Sequence, residues 1–169
     1  REPWPHQRAG VEQTIAALSN GTKSVCLTAP TGSGKTAMEI ALAKWQVEDV
    51  GKRVLCLTNR ILLTAQTKRV FEADDVPIGV ISASMKHLER DEPIQIATIQ
   101  TLMARRRSDP SYWVGADLVL ADEIHQCATG ESADLINEYK ARGAKICGVT
   151  ATPLGVSNVC DELIVAGRT

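Results

Sequence analysis

Aromatic side chains are scarce in this sequence: 4% of 169 residues, with one Phe, two Tyr and three Trp. A chain so poor in rings has little with which to stack on bases, so any grip on a nucleic acid is expected to run along its backbone. No apolar run approaches the roughly 20 residues that cross a bilayer, so no membrane partner is expected. The chain starts at Arg1, and no charged segment followed by an apolar stretch and a cleavage site comes after it. No secretory signal is visible, and a piece of a longer protein is the expectation. Cysteine is present only as five scattered residues (Cys26, Cys56, Cys127, Cys147 and Cys160), an odd number without CxxC spacing. Such thiols fit the reduced core of a cytoplasmic protein rather than a disulfide framework. The three histidines, His6, His87 and His125, have no ligand spacing with cysteine, which argues against a zinc site. A formal charge of −1 gives no global attraction to polyanions, so nucleic-acid binding would need a local patch.

What is present is globular: 44% hydrophobic and 23% charged residues, with a mean hydropathy of −0.08. The length suits one domain over residues 1–169, with a substantial core. Short β-branched runs alternate with helical stretches of roughly 10 to 15 residues, the pattern of a mainly parallel sheet covered by helices in an α/β fold. A helix over Pro5 to Leu18 is closed by Asn20-Gly21, and Ser24 to Thr28 reads as the first strand. A helix to about Val50 is ended by Gly51, and Arg53 to Thr58 reads as a buried strand. A helix from about Ile61 to Ala73 follows. Val76 to Ser82 and Ile94 to Thr98 are strands separated by the polar stretch Met85 to Glu92, and Leu102 to Arg107 is helical. Asp117 to Ala121 and Ala144 to Thr150 are apolar strands that run into Asp122-Glu123-Ile124-His125 and Ala151-Thr152-Pro153. Ligands bind at the carboxyl ends of such strands.

The chain is organised around Ala29-Pro30-Thr31-Gly32-Ser33-Gly34-Lys35-Thr36, between the first strand and a helix-forming run. Gly32 and Gly34 let successive backbone N–H groups face one anion, and the positive end of the following helix points the same way. This is a phosphate-binding loop, with Ala29 where the usual pattern begins with Gly. Lys35 would reach the β- and γ-phosphates, and the Thr36 hydroxyl would ligate the bridging magnesium ion. The other half of such a site needs a hard oxygen ligand at a strand end, and Asp122 supplies it. Glu123 would orient or deprotonate the attacking water while magnesium and Lys35 stabilise the transferring group.

Asp122-Glu123-Ile124-His125 reads as a DExH box. Together with Ala29 to Thr36 and Thr150-Ala151-Thr152-Pro153, it resembles the first RecA-like motor domain of a superfamily-two DExH helicase or translocase, of the restriction and repair types. The phosphate-loop variant beginning with Ala is common in that family. Asn59-Arg60 to Gln66 matches its next motif, and Ile96 to Leu102 fits the weaker nucleic-acid motif before the acidic box.

The resemblance implies an ATP- and magnesium-dependent hydrolase. Pro30 to Gly34 (Pro30, Thr31, Gly32, Ser33, Gly34), Lys35 and Thr36 would hold the nucleotide, and Gln7 would read adenine with an amide that both donates and accepts. Arg60, Thr98, Gln100 and Thr101 would contact a nucleic-acid backbone, DNA rather than RNA by analogy, without reading sequence. His125 and Gln126 would link the γ-phosphate to a partner domain, and Thr150 and Thr152 would couple the acidic box to domain movement. A strand-ending turn before Pro153 also describes Thr150 and Thr152, and both descriptions can hold. Arg105-Arg106-Arg107 reads as a solvated helix end favoured by the helix dipole rather than a nucleic-acid patch. The family's second motor domain lies outside these 169 residues, so weak ATP binding and poor turnover are expected of them alone. An ATP-dependent binding switch without unwinding is the alternative, and the intact Glu123 disfavours it. A small-molecule kinase leaves Thr150 to Pro153 unexplained.

Overall fold

A computed structural model describes residues 5–28, 35–58, 68–73, 75–82, 85–88, 92–127, 129–151 and 159–165. The helices are α1 (Pro5–Ser19), α2 (Lys35–Lys44), α3 (68–73), α4 (Ile99–Ser108) and α5 (Gly130–Ala141). The strands are β1 (Ser24–Thr28), β2 (Val54–Thr58), β3 (Gly79–Ser82), β4 (Met85–Leu88), β5 (Ile94–Thr98), β6 (Leu118–Asp122), β7 (Lys145–Thr150) and β8 (Glu162–Val165).

All eight strands form one sheet in the order β4-β3-β5-β2-β6-β7-β1-β8. Every pairing from β3 through β8 is parallel, and only β3 with β4 is antiparallel. Parallel neighbours require crossovers, and the helices that provide them cover both faces. Alternation along each strand divides the core accordingly. Val25, Leu27, Val54, Leu118, Leu120 and Val149 pack with residues of α1 and α2 on one face. Cys26, Leu55, Leu57, Val119, Ala121 and Ile146 pack with residues of α4 and α5 on the other. With both faces covered, the central strands β2 and β5 are buried at every position, which is why β2 reads as a nearly continuous apolar run, while β5 buries Gln95 and Thr98 among its apolar residues.

The expected punctuation is found. Asn20-Gly21 follows α1, with Gly21 at φ 101°, and Thr22 N–H donates to Ala17 O at 3.0 Å to close the helix. Beyond α2 the backbone widens into a π-type turn over Trp45–Val50, which Gly51 ends in a left-handed conformation at φ 75°.

Three expectations are corrected. The polar stretch expected to separate two strands contains β4, an edge strand that has one partner and tolerates polar residues such as Lys86. The strand expected from Val76 starts at Gly79, because Val76 N–H donates to Phe71 O and closes α3 instead. The far edge is β8, beyond the last anticipated strand, and its Leu163 and Val165 are exposed. Of the helix expected over Ile61 to Ala73, residues 68–73 are helical and 61–67 lie outside the described residues. The five cysteines are free and buried. No helix among the described residues is long and apolar enough to cross a membrane.

Candidate active site

The site forms where β1, β6 and β7 end together. Their register sets Thr28 beside Thr150 and Asp122 beside Val149, so the phosphate loop after β1 and the acidic turn after β6 leave the same edge of the sheet. The loop residues Pro30, Thr31, Gly32, Ser33 and Gly34 lie outside the described residues, but both flanks are described, Thr28 ending β1 and Lys35 opening α2.

Lys35 and Glu123, 88 positions apart, form an ion pair in which the lysine ammonium donates to Glu123 Oε1. Glu123 has φ 52°, a left-handed conformation unusual for a residue with a side chain. Its N–H donates to Val149 O at 2.8 Å, which ties the acidic turn to the end of β7. The turn continues as a single 3-10 helix, Ile124–Cys127, whose Ile124 is fully buried. Ile124 fits because Gly148 on β7 has no side chain: a Cβ there would lie 2.4 Å from Ile124 Cδ1 and 2.6 Å from its Cβ.

Asp122 ends β6 in phase with Leu118 and Leu120, so its side chain faces α2. There it meets Glu39, one helical turn beyond Lys35 and only 8% exposed. Burial pushes the Glu39 carboxyl well above the usual carboxylate range, and the adjoining Asp122 pushes the same way. Asp122 is raised too, chiefly by burial, with Lys35 opposing and Glu123 reinforcing the shift. The interaction between the two side chains adds to the upward shift of Glu39 and pulls Asp122 down against its own burial. Glu39 Oε1 is buried without a hydrogen-bond partner among the described residues.

No cluster of three or more His, Cys, Asp or Glu among the described residues has the geometry to hold a metal unaided. The residues that could hold a cation here are Asp122, with its carboxylate at the end of β6, and the half-buried Thr36 in the first turn of α2. That set fits magnesium, which takes few protein ligands and fills its octahedron with phosphate oxygens and water.

The other anticipated residues are distributed unevenly. Gln7 is buried at 3% exposure and continues the α1 stripe of Val11, Thr14 and Leu18. Thr98 and Thr101 are buried with their hydroxyls 2.5 Å apart, so they serve each other, whereas Gln100 is exposed. Thr150 is fully buried at the end of β7. Arg60 and Thr152 lie outside the described residues, as do the side chains of His125 and Gln126, whose backbone forms the 3-10 turn. Two contributors were missed, Glu39 and Gly148. For Glu39 a signal existed in the four-residue spacing from Lys35, whereas Gly148 has meaning only once Ile124 is seen against it.

Sheet order, with the acidic turn after β6 and the helix-opening lysine after β1 at one edge, is that of the RecA-like α/β fold. A family model described as Type III restriction enzyme, res subunit, matches residues 1–155, and the chain belongs to that family. Among curated proteins it is similar to the Type I restriction enzyme EcoAI endonuclease subunit of Escherichia coli, 30% identical over 163 residues that take in 90% of this chain. The chain spans only 20% of that relative's length. Among solved structures, the UvsW helicase from bacteriophage T4 is similar with a TM-score of 0.77 and 20% identity, over 98% of this chain and 60% of that one. A nuclease-deletion mutant of the Type ISP restriction-modification enzyme LlaGI, in complex with a DNA substrate mimic, has a TM-score of 0.70 and 17% identity, over 94% of this chain and 16% of that one.

Proposed function

We propose that this domain is the ATP-hydrolysing half of a DNA-dependent motor, a DExH helicase or translocase that couples ATP turnover to movement along a strand. The observation that carries the reading is the convergence of Lys35, Asp122 and Glu123 on one edge of the sheet. In this reading Lys35, Thr36 and the loop Pro30 to Gly34 cradle the triphosphate, and Gln7 recognises adenine. Asp122 and Thr36 hold magnesium, which when bound neutralises charge on the phosphates. Glu123 orients the attacking water and takes its proton, and Lys35 steadies the charge that builds on the transferring group.

The hydrogen bond from Glu123 N–H to Val149 O carries displacement of the acidic turn into β7 and so to Thr150 and Thr152. His125 and Gln126 would link the γ-phosphate to a second RecA-like domain of the full-length protein. Arg60 and Gln100 touch the nucleic-acid backbone, and the Thr98–Thr101 pair holds the start of α4 that presents Gln100. Preference for DNA is supported by the restriction enzymes among the relatives and by the DNA mimic bound to LlaGI.

The test is phosphate release by the full-length protein with ATP and magnesium, in the presence of double-stranded DNA, single-stranded DNA or RNA of one length. Stimulation by DNA is expected. Turnover that no nucleic acid alters would overturn the motor reading, and stimulation by RNA alone would overturn the choice of DNA.

A further inference from the structure

The functional reading uses the loop after β1 and the residues after β7, but not the hydroxyl that stands at the root of the loop. Thr28 is the last residue of β1, one position before Ala29, and it takes the face of the sheet that packs against α4 and α5, in phase with Cys26. Its Oγ1 is shut off from solvent and has no hydrogen-bond partner among the described residues. Two residues back on that face stands the Cys26 thiol, a weak donor and a weak acceptor. A buried hydroxyl so placed destabilises the fold, and a valine of the same shape would not.

The sheet register sets Thr28 beside Thr150, which is fully buried at the end of β7. Thr150 is in phase with Ile146 and Gly148, so it takes the same face as Thr28. Neighbouring strands lie about 4.8 Å apart, and for two threonines side by side on one face a rotation about χ1 brings the hydroxyls into hydrogen-bond range. β7 lies between β6 and β1. On the β6 side its end is already held, by Glu123 N–H donating to Val149 O at 2.8 Å. From this geometry we propose, resting on the motor reading above, that Thr28 is a positioning residue whose hydroxyl pairs with that of Thr150 during turnover. The pair ties the root of the phosphate loop to the root of the run Ala151-Thr152-Pro153, so the end of β7 is coupled to the acidic turn on one side and to the phosphate loop on the other.

The experiment is a double-mutant cycle in the full-length protein: Thr28→Val, Thr150→Val and both together, with Thr28→Ser as the conservative variant. Thermal denaturation verifies folding, and Thr28→Ala replaces Thr28→Val in the cycle should the latter not fold. Thr28→Val is expected to melt no lower than the original protein, because it removes a hydroxyl that the fold does not serve. Fluorescent ADP binding with magnesium is expected to stay within about threefold, while DNA-stimulated kcat falls about tenfold in each single variant, the size of one hydrogen bond. Thr28→Ser keeps the hydroxyl and is expected within about threefold of the original in kcat. Both substitutions together are expected to lose about tenfold again, not the roughly hundredfold of two independent losses. A Thr28→Val variant that folds and turns over like the original overturns the proposal, as do losses that multiply in the double variant. If no nucleic acid stimulates the original protein, the motor reading falls, and the same cycle read on unstimulated kcat decides the Thr28–Thr150 pair by itself.

Discussion

Two groups of charged residues lie on this domain, and they are built on opposite plans. At the carboxyl ends of β1, β6 and β7, the carboxyls Glu39, Asp122 and Glu123 gather around Lys35 in a partly or wholly buried setting. Along α4 and α5 the charges are matched and face water. Arg107 pairs with Glu131 at 2.9 Å. Arg106 pairs with Glu138 at 2.7 Å while its guanidinium lies 4.8 Å from the Trp113 ring centroid. Arg142 lies 3.7 Å from the Trp113 ring centroid as well, and that ring rests 4.1 Å from the ring of Tyr139. A matched, solvated cluster contributes little and demands little. An acid excess taken out of water is costly to hold, and it suits a site whose ligand brings positive charge. The run Arg105-Arg106-Arg107, conspicuous in the sequence, is spent on ion pairs and ring contacts within the domain, whereas the function proposed above puts the chemistry on the less conspicuous Asp122-Glu123.

The contrast can be broken most forcefully at Glu123. Glu123→Gln keeps the shape and removes the base, so turnover is expected to fall by about 100-fold or more while ATP and DNA still bind. Phosphate release measured beside nucleotide binding decides it, and unchanged turnover removes Glu123 from its role. Lys35→Ala is expected to abolish nucleotide binding at concentrations that saturate the original protein, read by fluorescent ADP. Retention of binding would place the phosphates elsewhere.

Gly148→Ala sharpens the comparison by reaching the site from within the sheet. Its Cβ would collide with Ile124 on three atoms within 2.6 Å, so the 3-10 turn has to shift. A stability loss of about 1–3 kcal/mol in urea is expected, together with reduced turnover because Glu123 adjoins Ile124. On the matched cluster, Tyr139→Phe loses the bond from the buried hydroxyl to Val114 O at 2.6 Å. About 1–2 kcal/mol of stability is expected to go, with kcat intact. Arg107→Ala, which breaks only an exposed pair, is expected to leave melting temperature and DNA-stimulated turnover unchanged. A loss of DNA stimulation in that variant would turn the basic run back into a nucleic-acid contact.

The parts of the fold legible in the sequence were those that obey local rules. β1 and β5 fall on their anticipated residues because both are short, apolar and bounded by breakers. Gly51 and Gly21 stop their helices because each takes up a positive φ. The edge strands were harder, since β4 and β8 have one partner each and need no continuous apolar run to be held. Thr98 and Thr101 show a different limit. Their hydroxyl chemistry was visible, but whether it faced a phosphate or another side chain depended on packing at the start of α4.

Taken alone, the sequence determined the alternation of strands and helices, the loop before Lys35 and the acidic pair after β6, because hydrophobic period, glycine spacing and residue type are local properties. Only the tertiary structure decided that a single strand separates β6 from β1, that Asp122 faces α2 rather than α5, and that Glu39 is buried on that same helix. Those depend on strand order and on which face each residue takes, and both are fixed by packing the whole sheet between its helices.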